Sequence, residues 1–285
     1  MHENNMGTLY VVATPIGNLQ DITLRAIETL KTVDKIAAED TRHAKGLLKH
    51  FSINKPTISL HEFNERECLD LLLEHLSDGE SIALISDAGT PLISDPGYHL
   101  IKEAKARGFT VVPVPGACAG IAALSVAGLP SDRFIFEGFL PAKQEACRNR
   151  LKELLYEPRT LIFYEAPHRL MDALQVMVEV FGGERTAVVA RELTKIYESV
   201  MNASLAELLA WYETHPDQQR GEIVILVRGA DHKPGENVLI DPEYVLDSLL
   251  SELPLKQAVA MAAKITGERK NELYEKALAR RSSSS

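Results

Sequence analysis

Cysteine is scarce in this sequence, which limits how the chain can be stabilised. Cys68, Cys118 and Cys147 are the three among 285 residues, and none belongs to the closely spaced pairs that build zinc sites. A chain of this length that is 45% hydrophobic can bury an apolar core without disulfides. We therefore expect a globular protein of the reducing cytoplasm, with no structural or catalytic metal.

Long apolar runs and the common nucleotide-binding motifs are also missing. No stretch approaches the roughly 18 apolar residues of a membrane helix, so we expect no membrane contact. No segment follows the pattern G-x-x-x-x-G-K-S/T or G-x-G-x-x-G. Nucleotide hydrolysis and hydride transfer therefore lack their usual sequence support.

Acidic residues outnumber basic ones, 40 to 31, but the basic residues are concentrated in two segments. The formal net charge of -9 disfavours nucleic acid, because phosphate binding depends on Lys and Arg. Residues 41–55 nevertheless carry four Lys and Arg and no acid, and residues 256–281 carry seven Lys and Arg against three acids. Both segments could contact phosphate, and both could also be ordinary solvated helix faces.

Short β-branched runs alternate with amphipathic segments, as in sheets covered by crossover helices. The predicted strands are 9–13, 35–38, 57–60, 81–85, 110–114, 160–164, 186–190 and 223–227. Gly and Pro interrupt the alternation at 128–144, and a polar linker at 229–235 precedes two predicted helices, 255–265 and 269–278. The sequence thus predicts an α/β fold with a first α/β domain over 1–128, a second over 129–230, and a small helix-turn-helix-like domain over 236–281.

Three loops that follow predicted strands are rich in Gly and Pro, namely 14–19, 86–97 and 114–119. Ligands of open α/β sheets bind beyond the carboxyl ends of strands. Glycine lets the backbone approach a ligand, and proline fixes the turn. One such loop can be a mere tight turn, but three at one sheet edge predict a site for a small polar ligand.

Seven motifs occur in order between residues 7 and 227. They are 12–19 (VATPIGNL), 39–42 (EDTR), the 87–97 loop, 113–116 (PVPG), 165–169 (EAPHR), 191–195 (RELTK) and 221–224 (GEIV). With them the chain resembles the tetrapyrrole-methylase superfamily and, within it, the bacterial enzymes that 2'-O-methylate a cytidine of 16S ribosomal RNA. The similarity extends less distinctively into the helical tail.

The resemblance implies a site for S-adenosylmethionine in a cleft between the two α/β domains. It also implies 16S ribosomal RNA as partner, within the small ribosomal subunit, and a homodimer. Many small-molecule methylases of the superfamily carry Gly-Asp-Pro where this chain has Gly89, Thr90 and Pro91, so the acid at that place is missing. The residues expected to bind the cofactor are Pro15, Asp87, Gly89, Thr90, Pro91, Ala117, Cys118, Ala119, Glu165, Ala166, Leu193, Gly221 and Glu222.

A ribose 2'-hydroxyl is a poor nucleophile while neutral, so a base or a nearby cation should assist its methylation. Asp40 is one candidate base, although it could instead only pair with Arg42. Lys195 could act as a base if desolvated, could stabilise the alkoxide as a cation, or could be a surface residue. The residues expected to contact RNA are Arg42, His43, Arg169, Lys256, Arg269 and Lys270.

Two other functions fit the pattern less well. A methylase of the same fold could act on a small tetrapyrrole or on a modified protein side chain, but such an enzyme needs no basic helical tail. A non-catalytic regulator could bind DNA through that tail, but the second tail helix offers few base-reading residues near its start.

Overall fold

The computed structural model describes residues 6–61, 64–231 and 242–283. Both of its sheets lie in one compact unit formed by the described residues up to 151 together with 160–228. The second compact unit combines 152–159 with the described residues from 229 onward. No helix in the described part of the chain is long and apolar enough to cross a membrane.

The first sheet contains five parallel strands in the order β3-β2-β4-β1-β5. Strand β4 is buried at all four residues, as expected for a parallel strand covered on both faces. Apolar clusters on the two sides of the sheet form the core. The elements are β1 (Thr8–Val12), α1 (Leu24–Thr32), β2 (Lys35–Ala38), α2 (Thr41–His50), β3 (Thr57–Ser59), α3 (Glu65–Ser77), β4 (Ile82–Ile85), α4 (Tyr98–Ala106), β5 (Thr110–Val114) and α5 (Ala119–Val126).

The second sheet is mixed, with the order β6-β7-β10-β8-β9. Strands β6 and β7 are parallel, whereas β10 is antiparallel to both of its neighbours and β9 is antiparallel to β8. The elements are β6 (Phe134–Phe139), α6 (Gln144–Glu153), β7 (Thr160–Glu165), α7 (Leu170–Phe181), β8 (Thr186–Arg191), β9 (Ser199–Ser204), α8 (Leu205–Thr214) and β10 (Ile223–Val227). The two sheets confirm the predicted α/β fold class.

The predicted strands match observed ones to within one residue at each end, but β6 and β9 were not predicted. Strand β6 shifts register at Gly138, whose φ of +68° interrupts the strand pattern. Strand β9 is an edge strand of mixed polarity, and its last residue, Ser204, is also the cap of α8 in a capping box with Glu207. The boundary predicted at 128 falls between α5 and β6 and remains a prediction, since both sheets share one compact unit.

Three helices belong to the C-terminal part of the second unit: α9 (Pro242–Glu252), α10 (Leu255–Thr266) and α11 (Lys270–Ser283). Leu246, Val259 and Leu273 form their shared core with two alanines. Helix α10 ends at Gly267, which is left-handed with φ +75°, at the predicted turn. Helix α9 was not predicted, and most of the predicted linker 229–235 and the predicted domain start at 236 lie outside the described residues.

Candidate active site

A cavity of about 370 Å³ lies between the two sheets. Its volume is within the range of about 300–1,000 Å³ that is common for small-molecule sites. The loop after β4 and the start of α5 form one wall, and the ends of β6 and β7, the loop after β8 and the start of β10 form the other. Both walls belong to the first compact unit.

Most of the residues predicted to bind a cofactor line this cavity: Gly89, Thr90, Cys118, Ala119, Glu165, Ala166, Leu193, Gly221 and Glu222. Pro15, Asp87, Pro91 and Ala117 are not among the lining residues. Ala117 lies behind the wall, where its carbonyl oxygen accepts the Thr90 hydroxyl at 2.9 Å. Asp87 Oδ1 accepts the Asp40 N–H at 3.1 Å, so it joins the loop after β4 to the loop after β2.

Two of the predicted loops of the first sheet are bonded to each other beside the cavity. Thr14 and Gly89 exchange backbone hydrogen bonds of 2.8 and 3.1 Å. Gly89 has a φ of +83°, and an added Cβ would lie 3.3 Å from Ile16 Cγ2. Glycine is therefore favoured here for two reasons: it adopts the left-handed conformation without strain, and it leaves room for Ile16.

Non-glycine residues in the left-handed region flank the cavity on both walls. Leu92 (φ +74°) and Ser94 (φ +69°) stand on either side of Ile93, which lines the cavity. Across from them, Glu192 (φ +51°) and Thr194 (φ +66°) stand on either side of Leu193, which also lines it. Such residues cost on the order of 1–3 kcal/mol each and tend to cluster at functional sites.

Glu165 presents an unsatisfied acceptor at the cavity wall. Its side chain is fully buried, and Oε1 accepts the Ala166 N–H at 2.9 Å with Arg169 Nε 3.5 Å away. Oε2 has no hydrogen-bond partner among the described residues. Burial raises the pKa of this carboxyl. Because buried acceptors are nearly always paired, Oε2 fits a ligand that brings a hydroxyl or amino donor, and the adenosine part of S-adenosylmethionine has both.

Several lining residues were not predicted, including Asp95, Phe139 and Tyr164. The Tyr164 hydroxyl accepts the Gly120 N–H at 3.0 Å, and burial raises the pKa of its phenol. The rings of Phe139 and Tyr164 meet edge to face at 5.7 Å. Asp95 lies in the 86–97 loop that the sequence did single out, but β6, which carries Phe139, gave no signal that would place it here.

The two candidate bases are both ion-paired. Asp40 caps α2 and binds Arg42 at 2.9 Å, and hydrogen bonds from Arg42 lower the pKa of this carboxyl to about 2. Lys195 Nζ lies 2.8 Å from Glu192 and 3.2 Å from Glu222. Desolvation lowers the pKa of Lys195, but the two carboxylates outweigh it and the pKa is raised. Neither residue lines the cavity, although Glu222 does.

The residues predicted to contact RNA occupy different surroundings. Arg42 and His43 are exposed on α2, whereas Arg169 is largely enclosed and donates to the carbonyls of Leu140 and Pro141 at 2.8 and 2.9 Å. Lys256, Arg269 and Lys270 are exposed in the second compact unit. All of these contacts with RNA remain predictions.

Comparison of the chain with protein-family models identifies the class of protein to which this fold and cavity belong. Residues 8–209 match the family model of the Tetrapyrrole (Corrin/Porphyrin) Methylases, and residues 240–281 match that of the RsmI C-terminal HTH domain. The chain therefore belongs to the tetrapyrrole methylases and is an S-adenosylmethionine-dependent methyltransferase.

Two relatives with high sequence identity share one more specific name. A Pseudomonas aeruginosa protein named ribosomal RNA small subunit methyltransferase I is 59% identical, over 98% of this chain and 99% of its own. An Escherichia coli protein of the same name is 54% identical, over 97% of this chain and 96% of its own.

Solved structures share the fold at much lower identity. A diphthine synthase has a TM-score of 0.60 at 16% identity, covering 78% of this chain and 90% of its own. A uroporphyrin-III-C-methyltransferase from Thermus thermophilus has a TM-score of 0.53 at 19% identity, covering 78% and 94%.

Proposed function

We propose that this enzyme transfers the methyl group of S-adenosylmethionine to the ribose 2'-hydroxyl of a cytidine in 16S ribosomal RNA. The observation that carries the substrate is the 59% identity, over nearly the whole chain, to a protein named as a methyltransferase of small-subunit ribosomal RNA. The same identity favours this substrate over a tetrapyrrole or a protein side chain.

The cavity residues fit the cofactor in both shape and chemistry. Gly89, Ala119 and Ala166 leave space beside the backbone, and Ile16 and Val224 supply apolar surface for a ring. Glu165 Oε2 would accept a hydrogen bond from the adenosine part. When bound, the cofactor supplies an electrophilic methyl group. The protein must then mainly hold the nucleophile in line with it and exclude water.

A helix that carries exposed basic residues starts close to this cavity. Helix α2 starts beside the loop after β4, because Asp40 at its N-cap is bonded to Asp87. Arg42, Lys45 and Lys49 on this helix are exposed, and α2 carries no acidic residue. We propose that they and Arg169 bind phosphates that flank the target nucleotide. Lys256, Arg269 and Lys270 would form a second RNA contact in the other compact unit.

We further propose that the substrate is the assembled small subunit in the cytoplasm and that the enzyme acts as a homodimer. Support for a dimer comes from apolar side chains left exposed on the first unit. Ile121 and Val126 on α5 are 50% and 58% exposed, and Ile196 is 94% exposed.

The test uses small subunits from a strain that lacks the gene. Purified enzyme and S-adenosylmethionine are added either to these subunits or to the protein-free 16S RNA, and the RNA is digested and mapped by mass spectrometry. We expect one 2'-O-methylcytidine in the subunits and little in the free RNA. A methyl group on a base, or none in either substrate, would contradict the proposal. Analytical ultracentrifugation of the same preparation tests the dimer.

A further inference from the structure

Titratable side chains on the cavity wall are Asp95, Cys118, Tyr164, Glu165 and Glu222. We infer that Asp95 is the base that removes the proton from the ribose 2'-hydroxyl during methyl transfer. The inference rests on the proposed function, because it presumes a hydroxyl nucleophile. It assigns the chemical step to a residue other than Asp40 and Lys195.

Each of the other two carboxylates on the wall lies near a cation. Glu165 accepts the Ala166 N–H and lies 3.5 Å from Arg169. Glu222 pairs with Lys195 at 3.2 Å, and its side chain is 65% exposed. Within the described part of the chain, no ion pair involves Asp95. Its carboxylate is therefore the lining acid whose basicity is not reduced by a cation.

The surroundings of Asp95 also suit a base. The pKa of this carboxyl is raised to about 6, mainly by burial and also by the negative charges of Glu39 and Asp87. A hydrogen bond with Ser86 acts in the opposite direction. Tyr164 on the opposite wall stays a neutral phenol, since burial raises its pKa. A base works best when its pKa is near the operating pH, because it is then ionised and still accepts a proton readily.

The backbone holds Asp95 where the two sheets meet. Ser94, directly before it, is left-handed, and the Ser94 hydroxyl would lie 3.1 Å from a Cβ added to Gly138 of β6. Gly138 is followed by Phe139, which also lines the cavity. Ser94, in the loop after β4, therefore lies against the irregular part of β6, and the charge of Asp95 acts on Tyr164 of β7. A ribose at this junction would be within reach of both walls.

Methyl transfer and proton transfer to Asp95 together need no reactant besides the hydroxyl and the sulfonium donor. As the 2'-oxygen forms its bond to the methyl carbon of the sulfonium donor, its proton passes to the Asp95 carboxylate. The electron pair of the breaking carbon–sulfur bond goes to sulfur, which leaves as a neutral thioether. The protonated Asp95 then returns its proton to solvent.

The test compares Asp95→Asn with Asp40→Asn and with Asp70→Asn, a surface control whose side chain is 88% exposed. Single-turnover methylation of gene-deficient small subunits is measured from pH 5 to 9, and cofactor affinity is measured by calorimetry. For Asp95→Asn we expect a rate about 10² to 10⁴ lower, no fall in rate at acid pH beyond that residual level, and a cofactor Kd within a few-fold of wild type. The Asp70→Asn enzyme should match wild type.

A second readout does not depend on turnover. Carbon-13 NMR of the protein labelled at Asp carboxyls, without cofactor, should show one resonance that titrates near pH 6 and disappears in Asp95→Asn. Loss of rate in Asp40→Asn alone, or a normal chemical rate with weakened cofactor binding in Asp95→Asn, would overturn the inference. If wild-type enzyme forms no 2'-O-methylcytidine, the proposed function fails instead.

Discussion

The Lys195 side chain lies directly against Gly17. A Cβ atom added to Gly17 would come 2.5 Å from Lys195 Cγ and 2.6 Å from its Cε. Gly17 belongs to the loop after β1, and Lys195 follows β8, so this contact joins the two sheets. The same lysine pairs with Glu192 and Glu222, and Glu222 lines the cavity.

Gly17→Ala should therefore displace Lys195 and weaken cofactor binding. The aliphatic stem of the lysine has to shift, which should disturb its pairing with Glu192 and Glu222 and so loosen Glu222 at the cavity wall. We expect a rise in the cofactor Kd of several-fold, measured by calorimetry. Lys195→Met should produce a similar rise, and the double variant should be no worse than either one, because both changes remove one shared contact. Strictly additive effects would show that Gly17 acts in another way.

Ala119→Leu should abolish cofactor binding, because it fills the cavity from the first turn of α5. Leucine is a good helix former, so the helix itself should tolerate the change. Ser125→Leu is the matched control: Ser125 is exposed on the same helix and does not line the cavity. Calorimetry with S-adenosylmethionine separates the two variants. Normal binding by Ala119→Leu would place the cofactor elsewhere.

Glu165→Gln should weaken the cofactor without unfolding the protein. Losing a hydrogen bond to a charged acceptor costs about 1.5–3 kcal/mol, which is roughly 10- to 150-fold in Kd. Glu179→Gln, which removes a carboxylate paired with Arg148 on the surface, should leave the Kd unchanged. Equal Kd values for the two variants would mean that Glu165 Oε2 does not face the ligand.

The same residue should also leave a mark on the pH dependence of stability. Burial raises the folded-state pKa of Glu165 above its usual value of about 4.5. Protonation therefore favours the folded state, so the contribution of this group to the free energy of unfolding falls as pH rises from 4.5 through the folded pKa. Denaturant unfolding of wild type should show this decrease relative to Glu165→Gln. Parallel curves would show that ordinary solvation of Glu165 persists in the fold.

Neutralising Lys256 and Lys270 together should weaken RNA binding regardless of nucleotide sequence and should reduce the salt dependence of that binding. For every phosphate that the variant no longer neutralises, the slope of log K against log salt should become shallower by about 0.7 to 0.9. Cofactor affinity should stay the same. Filter binding to small subunits at several salt concentrations gives the slope. An unaltered slope in the Lys256→Gln, Lys270→Gln enzyme would make the C-terminal unit a structural appendage.

Periodicity was enough to predict the parallel sheet but not the edges of the second one. Strands such as β2 and β4 are short, buried and apolar, so their sequence carries the signal. Strand β9 is exposed on alternate residues with Asn and Ser among them, and β6 contains Gly138, so neither resembles a typical strand. Tertiary pairing with β8 and β7 decides both.

Some residues of the candidate site could likewise be predicted from the sequence, and others could not. Gly and Pro turns after strands marked Gly89 and Thr90, and family motifs marked Glu165 and Leu193, all of which line the cavity. Asp95 could not be told apart from Asp87, the other acid of its loop, because its distinguishing property is burial without a cation. The charge of Glu39 also raises the pKa of Asp95, and Glu39 comes near this loop only when β2 and β4 pair.

The left-handed residues around Ile93 and Leu193 imply that the enzyme without ligand is less stable than variants with glycine at those positions. Replacing Ser94 or Thr194 with glycine should relieve unfavourable backbone geometry and raise the melting temperature. The added backbone freedom should also allow Ile93 or Leu193 to move away from the cavity wall. Ligand affinity would then fall while the melting temperature rises. Selection for thermostability alone would accordingly change this pocket first at its left-handed residues, of which Ser94 lines the cavity and Thr194 adjoins a lining residue.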